Sequence, residues 1–316
     1  MDYQDLHTRL GMNVSDTQPQ GVARSFLLDP EGPYDLAASV RFLEGFTPAA
    51  YAPNDDPGLR IAFPVDGTWE PGGALVTSAE HGASVRVECF GEASPDAVLT
   101  QIRRILSLDI DASGYAGVLE RDPVLRSLAA RRPGLRPVLF FSPYEAAAWA
   151  IIGNRIRMTQ AAATKARMSR DLGAAVDVGG EIVYAFPAPA VLRDLESFPG
   201  LFGRKVEYLR ALGESAEDRL LDVERLRSTE FDDAKRHLMD LPGIGPFGAE
   251  LILIRSVGLV DRAPTTERRL ARAVRLAYDL PSDPEPDQLA EIAHRWAPFR
   301  TWVAVLLRSS MEEPAR

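Results

Sequence analysis

The sequence predicts an α+β domain built on an antiparallel sheet, followed by a mainly α-helical body. Three observations carry this prediction. Short β-prone runs, separated by Gly, Pro and Asp turns, occupy much of residues 23–90. After Asp109 the strand signal fades and apolar residues recur at helical spacing. Finally, the run Phe231 to Met239 is joined to the run Ala249 to Val257 by Leu241-Pro242-Gly243-Ile244-Gly245-Pro246-Phe247-Gly248, a turn with two prolines and three glycines.

Taken in order, residues 1–22 are polar and aperiodic and read as a loose leader. The sheet domain spans 23–111. Ala23 to Asp29 is a short strand run ending at Pro30-Glu31-Gly32-Pro33. Tyr34 to Phe46 follows as an amphipathic helix with Leu36, Val40, Leu43 and Phe46 at helical spacing. Gly58 to Val65, Gly73 to Glu80 and Ala83 to Phe90 are strands, and the alternation in Ser84-Val85-Arg86-Val87-Glu88-Cys89-Phe90 is that of a half-buried antiparallel strand. Ser94 to Leu108 reads as a helix capped by Ser94, with Pro95 in its first turn. The helical body, 112–316, is predicted as helices near 112–131, 143–172, 189–196, 202–212, 221–227, 231–239, 247–257, 265–278, 286–295 and 299–310. Gly173 to Phe186 is a loop or short ribbon between two parts of that body.

Composition narrows the function classes. The chain has 316 residues, 46% hydrophobic and 26% charged, as in an ordinary soluble globular protein with two or three modest domains. No run approaches the ~20 apolar residues of a membrane span, and no N-terminal segment resembles a signal peptide. Cys89 is the sole cysteine, which excludes an internal disulfide and any cysteine-based metal cluster. A reducing cytoplasm fits. The net charge of −9 argues against indiscriminate binding to nucleic acid, so a nucleic-acid role needs a local basic face. Arg268, Arg269, Arg272 and Arg275 supply such a strip.

The glycine turn at 241–249 brings backbone close to whatever lies outside it, and the helix that follows begins with unpaired N–H groups. An anion such as phosphate would be held there. A sharp turn made for packing alone would use the same residues.

Several stretches together resemble the helix-hairpin-helix DNA glycosylases, in the branch of bacterial 3-methyladenine glycosylase II. They are Gly32-Pro33-Tyr34-Asp35, Arg132-Pro133-Gly134-Leu135-Arg136, Ala150-Ile151-Ile152-Gly153, Pro199-Gly200-Leu201-Phe202-Gly203-Arg204-Lys205, the hairpin itself and Trp296-Ala297-Pro298-Phe299-Arg300. The resemblance runs from about residue 23 to 310. It implies a sheet domain followed by two helical subdomains that clasp a DNA-binding cleft. It also implies hydrolysis of the N-glycosidic bond of an alkylated purine flipped out of double-stranded DNA, without a cofactor.

The resemblance places a carboxylate at the start of the helix after the hairpin, where relatives carry aspartate. Gly258, Asp261 and Pro264 keep the family register and put Glu267 at that position. Glutamate retains the charge but sets it about 1.5 Å further out, and misplacement of about 1 Å can cost on the order of 100-fold in rate. A helix-start acid serving only the macrodipole is the alternative, with Thr265 or Thr266 as cap. The lysine of bifunctional relatives is missing, so no Schiff-base step is implied.

Other positions follow by the same resemblance. Asn154-Arg155 occupies the turn from which a side chain wedges into the gap left by the flipped nucleotide; the alternative for Arg155 is a surface charge meeting phosphate. Phe247 stands where relatives commonly have tryptophan and could stack on an electron-poor purine, or could simply pack in the core. Tyr144 and Trp149 are further base-pocket candidates. Lys205, with Arg204 and Arg210, is a candidate phosphate contact. Pro242, Gly243, Ile244, Gly245, Gly248 and Ala249 form the DNA-gripping hairpin, and the main-chain carbonyls of Met239, Leu241 and Gly243 match a monovalent-cation position. The expected protein is a monomeric repair glycosylase. The alternative reading is a DNA-damage binding protein that keeps the grip and has lost hydrolysis.

Overall fold

The structure, a computed structural model, describes residues 24–46, 48, 58–79 and 83–311. The expected leader lies outside them. Strands β1 (Arg24–Leu28), β2 (Leu59–Pro64), β3 (Pro71–Ser78) and β4 (Val85–Gly91) form one antiparallel sheet in the order β1-β4-β3-β2. The alternation in β4 works as predicted: Val85, Val87 and Cys89 are buried while Arg86 faces solvent. Helices α1 (Leu36–Gly45) and α2 (Pro95–Ile105) lie against the apolar side of the sheet, where Leu43, Val98, Ile102 and Ile105 pack with Ile61, Phe63, Val76 and Val87. Pro95 opens α2 as expected, but Ser94 makes no side-chain cap bond.

The segment after Gly173 becomes a two-stranded ribbon, β5 (Ala175–Asp177) and β6 (Ile182–Tyr184). It does more than join helices, because Val176, Val178 and Ala185 pack on Ala62, Leu75 and Phe90 of the sheet. Gly73 makes room for it: a Cβ there would lie 2.8 Å from Val178 and 2.9 Å from Val176.

The rest is helical: α3 (Tyr115–Glu120), α4 (Pro123–Ala130), α5 (Pro143–Gly153), α6 (Met158–Leu172), α7 (Pro189–Arg193), α8 (Lys205–Glu217), α9 (Val223–Ser228), α10 (Phe231–Met239), α11 (Pro246–Arg255), α12 (Arg268–Ala277), α13 (Pro286–His294) and α14 (Arg300–Ser309). Two expected long helices are each broken in two. Between α3 and α4, Asp122 accepts from the Val124 and Leu125 amides and Pro123 has no amide to continue a helix. Between α5 and α6, Arg155 takes φ +57°, a left-handed conformation that a helix cannot pass through.

These helices bury two separate cores. One joins α5 to α11 through Trp149, Ile152, Leu209, Leu238 and Ile252. The other joins α3 and α4 to α12, α13 and α14 through Leu125, Leu270, Val274, Trp296 and Val303. Arg136 fixes the junction with the sheet domain. Its buried guanidinium donates to the carbonyls of Glu31, Gly32, Pro33, Ser107 and Ile110. No helix among the described residues is long and apolar enough to cross a membrane.

Candidate active site and nucleic-acid interface

The turn between α10 and α11 is closed by Ile244 N–H donating to Leu241 O at 3.0 Å. Gly243 takes φ +87°, and a Cβ there would lie 2.5 Å from the Tyr208 ring. Gly245 differs. Its backbone is extended, and a Cβ would meet nothing within 4 Å. Internal packing therefore requires a glycine at 243 but not at 245, where only an object approaching from outside would. Side chains divide in the same way. Leu241, Ile244, Gly248 and Ala249 are buried, so Ile244, Gly248 and Ala249 can offer a partner backbone only. Pro242, Gly245, Pro246 and Phe247 face solvent, and the Phe247 side chain is 64% exposed at the start of α11 rather than packed in the core.

Ala249 N–H to Gly245 O is the first bond of α11. The amides of Phe247 and Gly248 precede it, in the turn where helix donors have no intrahelical partner. An exposed, proline-led helix start of this kind suits an anion. Of the three carbonyls matched to a cation position, that of Leu241 already accepts one hydrogen bond within the turn, leaving one lone pair.

Asn154 and Arg155 lie exposed at the C-terminal end of α5. Lys205 is drawn inward instead: its Nζ donates to Ile152 O at 2.7 Å, and burial lowers its pKa. Arg204 makes a two-bond contact with Glu207, and Arg210 donates to Arg193 O. Each member of the expected basic cluster at 204–210 thus has a contact within the protein, Arg204 and Arg210 while remaining exposed. Tyr144 is fully buried, with its hydroxyl on Pro187 O at 2.9 Å, and Trp149 lies in the same core. Tyr144 has no exposed surface to offer a base, and Trp149 keeps only 8%.

The N-terminus of α12 carries the candidate carboxylate. Glu267, rather than Thr265 or Thr266, occupies the cap position, and its side chain makes no capping bond. The side chain turns inward, 15% exposed, and Oε1 accepts from Arg308 Nη1 at the far end of α14. Burial raises the Glu267 pKa, opposed chiefly by Arg308 and then by Arg255 and Arg269, with Glu250 adding to the rise. Nearby, Arg269 Nη2 contacts Met158 Sδ at 3.1 Å, so α12 of one helical core faces the start of α6 of the other. Arg268 and Arg272 remain exposed on the same helix, whereas Arg275 pairs with Asp283 at 2.8 Å.

Arg308 was not singled out from the sequence. The available signal was a charged residue directly following the buried run Thr301–Leu307. A cavity of about 580 Å³ lies elsewhere, between the β2–β3 turn, α2 and the α8–α9 connection. Several of its charged groups already pair with one another, Arg104 with Asp66 at 2.5 Å and Arg227 with Asp109 at 2.7 Å, and none of the expected site residues lines it.

No family model matches the sequence. Among curated proteins, the chain is 23% identical over 220 residues to the DNA-3-methyladenine glycosylase of Bacillus subtilis, covering 67% of this chain and 71% of that one. It is 29% identical over 217 residues to a protein of Mycobacterium tuberculosis described as a probable bifunctional transcriptional activator/DNA repair enzyme AlkA, covering 67% of this chain but 42% of that longer protein. Among solved structures, the 3-methyladenine DNA glycosylase from Archaeoglobus fulgidus superposes with a TM-score of 0.74 at 24% identity, covering 90% of this chain and 97% of that one. DNA-3-methyladenine glycosylases thus stand both among the proteins this chain resembles in sequence and among the solved structures that share its fold.

Proposed function

We propose that this chain is a monofunctional DNA N-glycosylase that removes alkylated purines of the 3-methyladenine type, working as a monomer in the cytoplasm. The observation that carries the reading is the Glu267 carboxylate, turned inward where the two helical cores meet and held there by a cation. A carboxylate with only a helix-start role would fold back onto its own amides. The exposed face of the hairpin, Pro242, Gly245 and the first amides of α11, grips the phosphate backbone. Asn154-Arg155 fills the gap left by the flipped nucleotide, and Phe247 offers an aromatic face to it.

The chemistry needs little more. As the C1′–N bond of the flipped nucleotide breaks, its electron pair leaves with the alkylated base, which departs neutral. Positive charge grows on the sugar, where Glu267 stabilises it. Water adds to C1′ and its proton passes to Glu267 or solvent.

The test is single-turnover release of base from a duplex with one alkylated purine. Wild type should release it. Glu267→Gln should be slower by on the order of 100-fold or more, with binding retained. A wild type that binds the lesion but releases nothing would make the protein a damage-binding module. A fully active Glu267→Gln would remove Glu267 from the mechanism.

A further inference from the structure

Glu267 sits at a helix cap without capping the helix. Its side chain forgoes the local amides that a cap carboxylate ordinarily accepts from and takes a partner 41 residues away, Arg308. Arg308 is the charged end of α14, a helix whose residues Thr301–Leu307 are buried in the core shared with α12. The guanidinium therefore stands on a rigid support. The other charged groups around Glu267 have contacts of their own. From α11, Arg255 lies over the rings of Phe42 and Phe46 and donates to Val138 O, while Glu250 pairs with Lys235 at 3.6 Å. From α12 itself, Arg269 reaches Met158.

We infer that Arg308 is the positioning residue of the reaction: by holding Oε1 it fixes where the Glu267 carboxylate stands. The inference rests on the glycosylase reading above and deepens it. Glutamate has one more rotatable bond than aspartate, and a carboxylate free to swing would occupy the reactive position only part of the time. A guanidinium fork anchored on a buried helix removes that freedom. It also opposes desolvation, which otherwise favours the neutral acid. Arg308 acts through Glu267 and touches no reacting atom.

The experiment compares wild type with Arg308→Met, which keeps an unbranched stem without charge, and Arg308→Lys, which keeps charge. Melting temperature and far-UV dichroism establish that each variant is folded. Base release is measured in single turnovers from pH 4 to 9, and Glu267 is titrated directly by ¹³C NMR, its signal assigned by loss in Glu267→Gln. Because Glu267 acts as a carboxylate, activity is full above its pKa and lost as pH falls through it. Removing the cation raises that pKa. Arg308→Met should thus move the acid limb of the rate profile and the carboxyl titration upward together, by about one pH unit or more. Its neutral-pH rate should fall roughly tenfold or more, and Arg308→Lys should recover most of both. A limb and titration unmoved in Arg308→Met overturn the inference, as does an Arg308→Lys as impaired as Arg308→Met. If wild type releases no base, the glycosylase reading falls; a titration that still moves then marks Arg308 and Glu267 as a structural pair, and the positioning role is overturned with its parent.

Discussion

Lys205 Nζ donates to Ile152 O at 2.7 Å, tying the first residue of α8 to the last turn of α5. A cation on the terminal carbonyls of a helix is satisfied by both the hydrogen bond and the macrodipole. The bond gives Lys205 a structural service that a phosphate contact is not needed to explain. Lys205→Met should cost about 1–2 kcal/mol in urea denaturation and leave the salt dependence of DNA binding unchanged. A salt slope reduced by about one phosphate contact would return Lys205 to the DNA interface.

Arg155 shows the opposite balance. It is exposed and holds φ +57°, a conformation that costs an L-residue roughly 1–2 kcal/mol. Arg155→Gly should therefore stabilise the fold by up to about 1 kcal/mol while weakening binding to lesion DNA. Arg155→Ala should weaken binding without the gain in stability. If Arg155→Gly binds lesion duplex as tightly as wild type, the turn does not touch the flipped nucleotide's gap.

The two hairpin glycines separate packing from ligand contact. Gly243→Ala puts a Cβ on the Tyr208 ring in a left-handed backbone and should cost roughly 2–4 kcal/mol of stability. Gly245→Ala adds a methyl into open space on extended backbone and should leave the melting temperature within about 2 °C. Gly245→Ala should nonetheless bind duplex DNA several-fold more weakly, because that methyl stands where a phosphate would approach. Unchanged affinity in Gly245→Ala would reduce the hairpin to a packing device.

The sheet and most helices were legible because their signals are local. Val85, Val87 and Cys89 alternate, and glycine and proline mark the turn at 241–249. What could not be read was long-range or conformational. Nothing near Lys205 reveals that its ammonium will find Ile152 O, and nothing near Tyr144 reveals that its ring will lie between Trp69 and Phe186. The ribbon at 175–184 looks like a connector because its packing partner, Ala62 with Leu75 and Phe90, lies about a hundred residues earlier. The site divides likewise. Glu267 was named from the family register along the chain, whereas Arg308 becomes visible only when α12 and α14 share a core.

A buried ion pair links α5 and α6: Lys165 Nζ lies 2.5 Å from Glu145 Oε1, with the side chains 7% and 4% exposed. Glu145 Oε2 is buried without a hydrogen-bond partner. Removing one member strands the other's charge, so Lys165→Met should cost about 3–5 kcal/mol. The double variant Glu145→Gln/Lys165→Met strands no charge and should recover most of that loss. Denaturant unfolding of the four species measures the coupling, and additive losses would show that solvent already reaches the pair.

High pH should unfold the protein through its phenols. Burial, as the leading cause, raises the pKa values of Tyr34, Tyr115, Tyr144 and Tyr278 above the usual tyrosine value. The unfolded chain gives up these protons near pH 10. Above that pH the folded state holds more protons than the unfolded one, so stability falls as pH rises. Tyr34, Tyr115 and Tyr144 each contribute about 1.4 kcal/mol per pH unit, roughly 4 kcal/mol per unit together, and the less buried Tyr278 adds less. Absorbance at 295 nm and far-UV dichroism followed over the same alkaline titration read the two events. Tyrosinate from these four residues should appear together with the loss of helix; a complete tyrosine titration near pH 10 with dichroism unchanged would show that the four phenols are open to solvent.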